Sequence, residues 1–193
     1  MKSYIKNYIV QSVKTKEEIL SSESILAKIE EASKMIIEAY KNGKKVLIAG
    51  NGGSAADAQH ISAELVSKFL INDRPALNAV ALTTNTSILT AVGNDYSHDY
   101  IFARQVQAYG AEGDIYIAIS TSGESKNIIY SIEEAKRRKL KVIGFTGMKE
   151  SSMDSLCDLV IKVPSLETSI IQESHIMLGH IVCAIVEKEL FKN

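Results

Sequence analysis

His60 and Glu64 stand four residues apart in a segment of helical character, so their side chains share one helix face. An imidazole beside a carboxylate can move protons. A His-x-x-x-Glu pair joined by a distant histidine is also a plausible zinc set. Towards the other end, Gln172 and His180 fall on broadly the same side of a second helix that is otherwise apolar. Buried polar side chains must be satisfied, and several converging on one place mark a site. Taken singly, each histidine is more often a hydrogen-bonded core residue than a ligand, and glutamine is an uncommon zinc ligand. His98 reads as a loop or helix-start residue. His175, one turn beyond Gln172, reads as a supporting neighbour of the site.

Two loops could hold a charged ligand. The run Ala49-Gly50-Asn51-Gly52-Gly53-Ser54 opens straight into a helix. Its glycines allow close backbone approach, and the helix start offers unpaired N–H groups. It is neither a Walker loop nor a GxGxxG fingerprint. It reads equally as a plain strand-to-helix turn with Ser54 as N-cap and Asp57 three residues on. The second loop, Ser120-Thr121-Ser122-Gly123-Glu124-Ser125, carries four hydroxyls in six residues. Hydroxyls, backbone amides and a helix dipole together make a cradle for a phosphate dianion. Glu124 fits there as the acid of a capping box, Thr121-x-x-Glu124. A third segment, Gly93-Asn94-Asp95, suits a tight turn and equally suits hydrogen bonding to sugar hydroxyls.

These residues need a frame. Two amphipathic stripes at the start, Ile5, Ile9, Val10, Val13 and then Ile25, Ile29, Ala32, Ile36, Ile37, predict helices ended by Asn42-Gly43. Strands are predicted at Lys45–Ala49, Asn78–Leu82, Asp114–Ile119, Lys141–Phe145 and Leu159–Val163. Helical segments separate them: Ala55–Phe69, a short one near Ser87–Val92, Asp99–Tyr109, Ser125–Lys139 and a stub at Ser152–Leu156. A long apolar helix, Thr168–Phe191, closes the chain. Apolar strands alternating with helices imply an α/β fold: a three-layer α/β/α arrangement on a five-stranded parallel sheet, flavodoxin-like or Rossmann-like, with an extra N-terminal helical hairpin. Residues 1–193 read as a single domain, with 1–43 as helices used in oligomerisation and 44–193 as the α/β core and last helix. Ligands of such sheets bind beyond the carboxyl ends of the strands.

Composition bounds the function class. Apolar residues make up 46% and charged ones 23% of 193 residues, with a net charge of −1. No whole-chain field gathers nucleic acid or an anionic membrane, so neither is expected as a partner. The basic cluster Lys136-Arg137-Arg138-Lys139 sits where a helix end accepts cations. Cys157 and Cys183 stand alone in apolar neighbourhoods, as buried free thiols of a reducing compartment do. The N-terminus alternates apolar with charged residues and has no signal-peptide run, and the apolar stretch Ile176–Val186 is too short to span a bilayer. A cytoplasmic location follows as the expectation.

The runs AGNGGSAADAQHISAEL, LTTNTSILTAVGNDY, ISTSGESKNI and IQESHIMLGH together cover most of the chain's unusual residues. In combination they resemble the phosphoheptose isomerase family within the sugar isomerase (SIS) fold. The resemblance implies aldose–ketose isomerisation of D-sedoheptulose 7-phosphate to D-glycero-D-manno-heptose 7-phosphate through an enediol. That is the first step toward ADP-heptose for bacterial lipopolysaccharide or capsule. It implies Glu64 and His180 as the acid–base pair. It implies sugar-phosphate contacts from Asn51, Gly52, Gly53, Glu64, Asn94, Asp95, Ser120, Thr121, Ser122, Ser125 and Gln172. One zinc ion per subunit would be held by His60, Glu64, Gln172 and His180. Coordination lowers the basicity of a carboxylate, so the two roles given to Glu64 compete. Homotetramers with sites at subunit interfaces are implied as well. Two departures bear on substrate contacts: many relatives carry Arg where this chain has Lys68 and Ile171. A non-catalytic binding protein of the same fold, of the DnaA-associating type, would lack both Glu64 and His180. An isomerase of another sugar phosphate, such as an arabinose 5-phosphate enzyme, would keep the two loops.

Overall fold

Runs such as Val-Leu-Ile-Ala-Gly and Ile-Tyr-Ile-Ala-Ile have no polar face to give to water, so they become strands covered on both sides. The computed structural model describes residues 1–192. Its strands are β1 (Val46–Gly50), β2 (Ala79–Ala81), β3 (Ile115–Ile119), β4 (Lys141–Gly147) and β5 (Leu159–Val163). All pair in parallel, in the order β2-β1-β3-β4-β5. The chain leaves β1 towards β2 on one side and later returns to place β3 on the other. The carboxyl ends of β1 and β3 therefore flank the topological switch point, where a crevice opens.

The helices are α1 (Lys2–Ser21), α2 (Glu23–Lys41), α3 (Gly53–Val66), α4 (Thr86–Asp95), α5 (Ala103–Tyr109), α6 (Lys126–Arg137), α7 (Met153–Leu156) and α8 (Thr168–Phe191). Alternation along β1 feeds two cores. Val46 and Ile48 pack with Ile36, Ile61, Leu65 and Leu178 from α2, α3 and α8. Leu47 and Ala49 pack with Val106, Ile128 and Ile132 from α5 and α6. By length and composition α8 could cross a membrane, with a mean hydropathy of 1.4. Here it lies against α2 and α3, and Leu178, Val182, Cys183 and Val186 are buried between them.

The hairpin at the start is lopsided. Ser22 caps α2 by accepting a hydrogen bond from Ile25 N at 3.3 Å, and Ile29, Ala32 and Ile36 are buried. In α1 only Thr15 and Ile19 are buried, leaving the stripe Ile5, Ile9, Val10 and Val13 exposed.

Several element ends differ from the sequence expectation, each for a local reason. The helix predicted over Ala55–Phe69 stops at Val66, because the amides of Phe69, Leu70 and Ile71 turn to the carboxylate of Glu187 in α8. The segment predicted as one helix over Asp99–Tyr109 is a 3₁₀ turn, His98–Tyr100, followed by α5; the Ser97 hydroxyl accepts the Asp99 amide at 3.1 Å and starts that turn. Gly93-Asn94-Asp95 is not a turn but the last stretch of α4.

Candidate active site

Three helix starts meet at the switch-point crevice. Gly52 takes φ 55 as the N-cap of α3, a left-handed conformation that suits glycine, so Ser54 lies inside the helix and is not its cap. Ser125 precedes α6 and Glu167 precedes α8, and none of the three helices has a side-chain cap. Ala55 N and Ile128 N already donate to the carbonyls of Gly52 and Ser125. The amides of the first two residues of each helix have no partner within the helix and are available to a ligand. Between them lies a cleft of about 290 Å³ lined by Asn51, Gly52, Gly53, Ser54, Ser120, Thr121, Ser125, Thr168 and Gln172. No lysine or arginine is among those lining residues.

Hydroxyl contacts shape the second loop. Ser120 Oγ sits 3.1 Å from Ser125 Oγ and accepts the Gly123 amide at 3.2 Å, with Gly123 at φ 70. Glu124 does not close the expected capping box. Its carboxylate accepts the amide of Ser152 at 2.6 Å and the Ser152 hydroxyl at 2.7 Å, tying this loop to the one after β4. Those two donors hold the Glu124 carboxyl below its usual range. Ser122 faces the adjoining cleft with Met148, Lys149 and Ile171.

A second cluster lies further along α3 and α8. His60 Nε2 is 3.1 Å from Glu64 Oε1 and 3.2 Å from His180 Nε2. The three ligand atoms lie within 4.8 Å of one another. Phe69 stacks on the His180 ring at 5.5 Å. The donor set fits a tetrahedral cation. Bonds of about 2.0–2.1 Å to zinc put neighbouring ligand atoms about 3.3 Å apart. One turn before His60, Asp57 has a buried Oδ2 without a partner, and burial pushes its carboxyl up to about 6 against the pull of His60.

The structure therefore divides the residues singled out from sequence. Asn51, Gly52, Gly53, Ser120, Thr121, Ser125 and Gln172 share the cleft, while His60, Glu64 and His180 form the cluster. Gln172 lines the cleft. Its amide donates to Ser54 Oγ at 3.3 Å, and the eight-residue step along the helix puts about 12 Å of backbone rise between it and His180. Asn94 and Asp95 are exposed at the end of α4, where they bond to each other at 2.8 Å and line neither place. His175 is also apart: it is fully buried, stacks on Phe145 and donates from Nε2 to the Thr146 carbonyl at 3.2 Å. Burial pushes its imidazole down to about 4, which keeps it neutral.

Sequence reasoning missed Thr168, the cleft residue at the start of α8, and Asn127, which holds Asn51. It also missed the ion pair of Arg74 and Glu187. Glu187 accepts Arg74 Nε at 2.6 Å as well as the three amides after α3, and Arg74 donates to the Glu64 carbonyl at 2.6 Å. A glutamate placed directly after the apolar run Ile176–Val186 of the last helix was the available signal.

A family model described as a SIS domain matches residues 7–147. Phosphoheptose isomerase 2 of Campylobacter jejuni is 56% identical over 191 residues, covering 99% of this chain and 94% of that protein. The chain belongs to the phosphoheptose isomerase family. The solved phosphoheptose isomerases agree in structure. The one from Neisseria gonorrhoeae superposes with a TM-score of 0.90 at 37% identity, covering 97% of this chain and 98% of that one. The one from Francisella tularensis gives 0.93 at 37% identity, with 96% and 97% covered. Members of this family are isomerases, and so is this chain. Of its two departures, Lys68 donates to Asn72 at the surface. Ile171 is buried with its Cδ1 against Gly147.

Proposed function

We propose that the protein interconverts D-sedoheptulose 7-phosphate and D-glycero-D-manno-heptose 7-phosphate, the step that leads toward ADP-heptose for lipopolysaccharide or capsule. The observation that carries this reading is the meeting of three uncapped helix starts with a hydroxyl loop in one cleft, about 12 Å along α8 from an acid–base cluster. That spacing suits an extended seven-carbon chain with phosphate at one end and its carbonyl at the other.

In this reading the amides and hydroxyls of the cleft bind the phosphate. Glu64 removes the proton from C1 of the ketose, giving the enediol, and the same proton or one from solvent returns to C2. His180 carries the proton between O1 and O2. Each such positioned group supplies about 10²–10⁴-fold. His60, Glu64 and His180 are the residues that would hold one zinc ion per subunit. Zinc there would supply Lewis-acid stabilisation to oxygens of the substrate.

The exposed stripe on α1, with Val66, Leu70 and Ile181 exposed near the cluster, supports a homotetramer in which residues 1–43 pack between subunits and the sites sit at the interfaces. A cytoplasmic location suits this chemistry and the two free cysteines. The test is incubation with sedoheptulose 7-phosphate in D2O. Aldose formation with deuterium at the exchanging carbon is expected; turnover only of a shorter sugar phosphate would overturn the heptose assignment.

A further inference from the structure

Asn51 and Asn127 face each other beside the cleft. Asn51 Nδ2 donates to Asn127 Oδ1, and Asn127 Nδ2 donates to Asn51 Oδ1, both at 2.9 Å. The pair is cyclic. Rotating one carboxamide alone would set donor against donor and acceptor against acceptor. Asn127 is 4% exposed, in the first turn of α6, and its Nδ2 also lies 3.5 Å from Nδ1 of His98. It does not line the 290 Å³ cleft. It lines an open hollow of about 470 Å³ with Asn51, Gly52, His98, Asp99 and Lys126.

Gly52 and Gly53 have no side chains with which to anchor their loop, and Gly52 holds a positive φ. A loop of that kind is orderly only if a neighbour fixes it, and Asn51 supplies the attachment. We infer that Asn127 is a positioning residue: its carboxamide clamps Asn51, ties the glycine loop to the start of α6, and so holds two walls of the phosphate cleft at one spacing. It acts through Asn51, without lining the cleft itself.

The inference rests on the phosphate reading of the cleft, so it is tested by binding as well as turnover. Asn51→Ala, Asn127→Ala and the double variant of the full chain are titrated calorimetrically with inorganic phosphate, with thermal denaturation in parallel. Asn127→Ala is expected to weaken phosphate binding roughly tenfold, the worth of one to two hydrogen bonds. In the Asn51→Ala background the same substitution is expected to change binding less than about twofold, because its object is gone. Asn127→Asp, of the same size but with acceptors only, covers the case in which the alanine variant folds poorly, and is expected to weaken binding likewise. In turnover the KM for sedoheptulose 7-phosphate rises while kcat is kept, whereas a merely structural role would lower the amount of active enzyme and leave KM unchanged. Equal losses in both backgrounds, or an unchanged affinity in Asn127→Asp, would overturn the proposal alone. Absence of phosphate binding by the unaltered protein would overturn it together with the reading beneath it.

Discussion

Glu187→Gln should unsettle the protein more than any surface change, and its cost can be worked from the structure. Glu187 and Arg74 are each 1% exposed at the side chain. The carboxylate accepts Arg74 Nε and the amides of Phe69, Leu70 and Ile71, which hold its pKa at about 2 against an ordinary 4.5. That difference corresponds to about 3 kcal/mol of stability, of order-of-magnitude quality. Because the folded-state pKa is the lower one, the contribution is full above pH 4.5 and is lost as pH falls towards 2. Glutamine also leaves the Arg74 guanidinium buried without its counter-charge, so the expected loss at pH 7 is about 3–5 kcal/mol. For a chain of this size that lowers Tm by roughly 6–20 °C. The assay is thermal denaturation at fixed protein concentration, at pH 7 and stepwise through the acid range. The wild type should lose stability steeply below pH 4.5, and the variant less steeply. Activity should fall as well, since Phe69, which Glu187 holds, stacks on His180. A loss at pH 7 under about 1 kcal/mol, or superimposable acid profiles, would refute the reasoning.

Glu64→Gln and His180→Gln are each expected to abolish isomerisation while Tm and oligomer size are kept; near-wild-type turnover in either would remove it from the acid–base pair. His60→Ala should reduce bound zinc, measured by elemental analysis of protein purified without chelator, by tenfold or more, and a variant with full zinc content would exclude His60 as a ligand. In Gly53→Ala the added Cβ would fall 2.2 Å from Gln172 Oε1, the far end of a flexible side chain. The fold should therefore survive, with Tm within a few degrees, while displaced Gln172 raises the KM for the sugar phosphate; an unchanged KM counts against its place in the site. Ile9→Glu puts a charge on the exposed stripe of α1 and should shift the mass measured by light scattering from tetramer to smaller species. An unaltered mass would place the subunit contacts elsewhere.

What the sequence could tell was decided by the range of the interactions involved. β5 and α8 run over the predicted residues, because apolar runs and helix starts are local signals. The hydroxyl loop was legible for the same reason: Ser120 contacts both Ser122 and Ser125 within six residues. Glu124 was misread because its true partner, Ser152, is 28 residues away, and a capping box is the nearest local explanation. Gly93-Asn94-Asp95 has turn composition, yet α4 runs through it and ends only where the Tyr96 and Ser97 amides both turn back to Val92 O. Gln172 and His180 share a helix side in projection, but projection discards the rise along the axis, which is about 12 Å between them. Asn127 and Arg74 depend on partners 76 and 113 residues distant, and no spacing rule reaches that far.

A single helix carries Gln172 at the cleft, His180 at the acid–base cluster and Glu187 under the loop after α3. These attachments lie on one rigid rod, so adding or removing one residue between them would turn everything beyond it by about 100° and shift it by about 1.5 Å. Such a change would break at least one attachment whichever way the helix settled. Point substitutions between these attachments can be absorbed one at a time, but changes in the helix's length cannot. Insertions and deletions among related isomerases should therefore collect in surface segments such as the one joining α3 to β2 and be absent from Gln172 to Glu187.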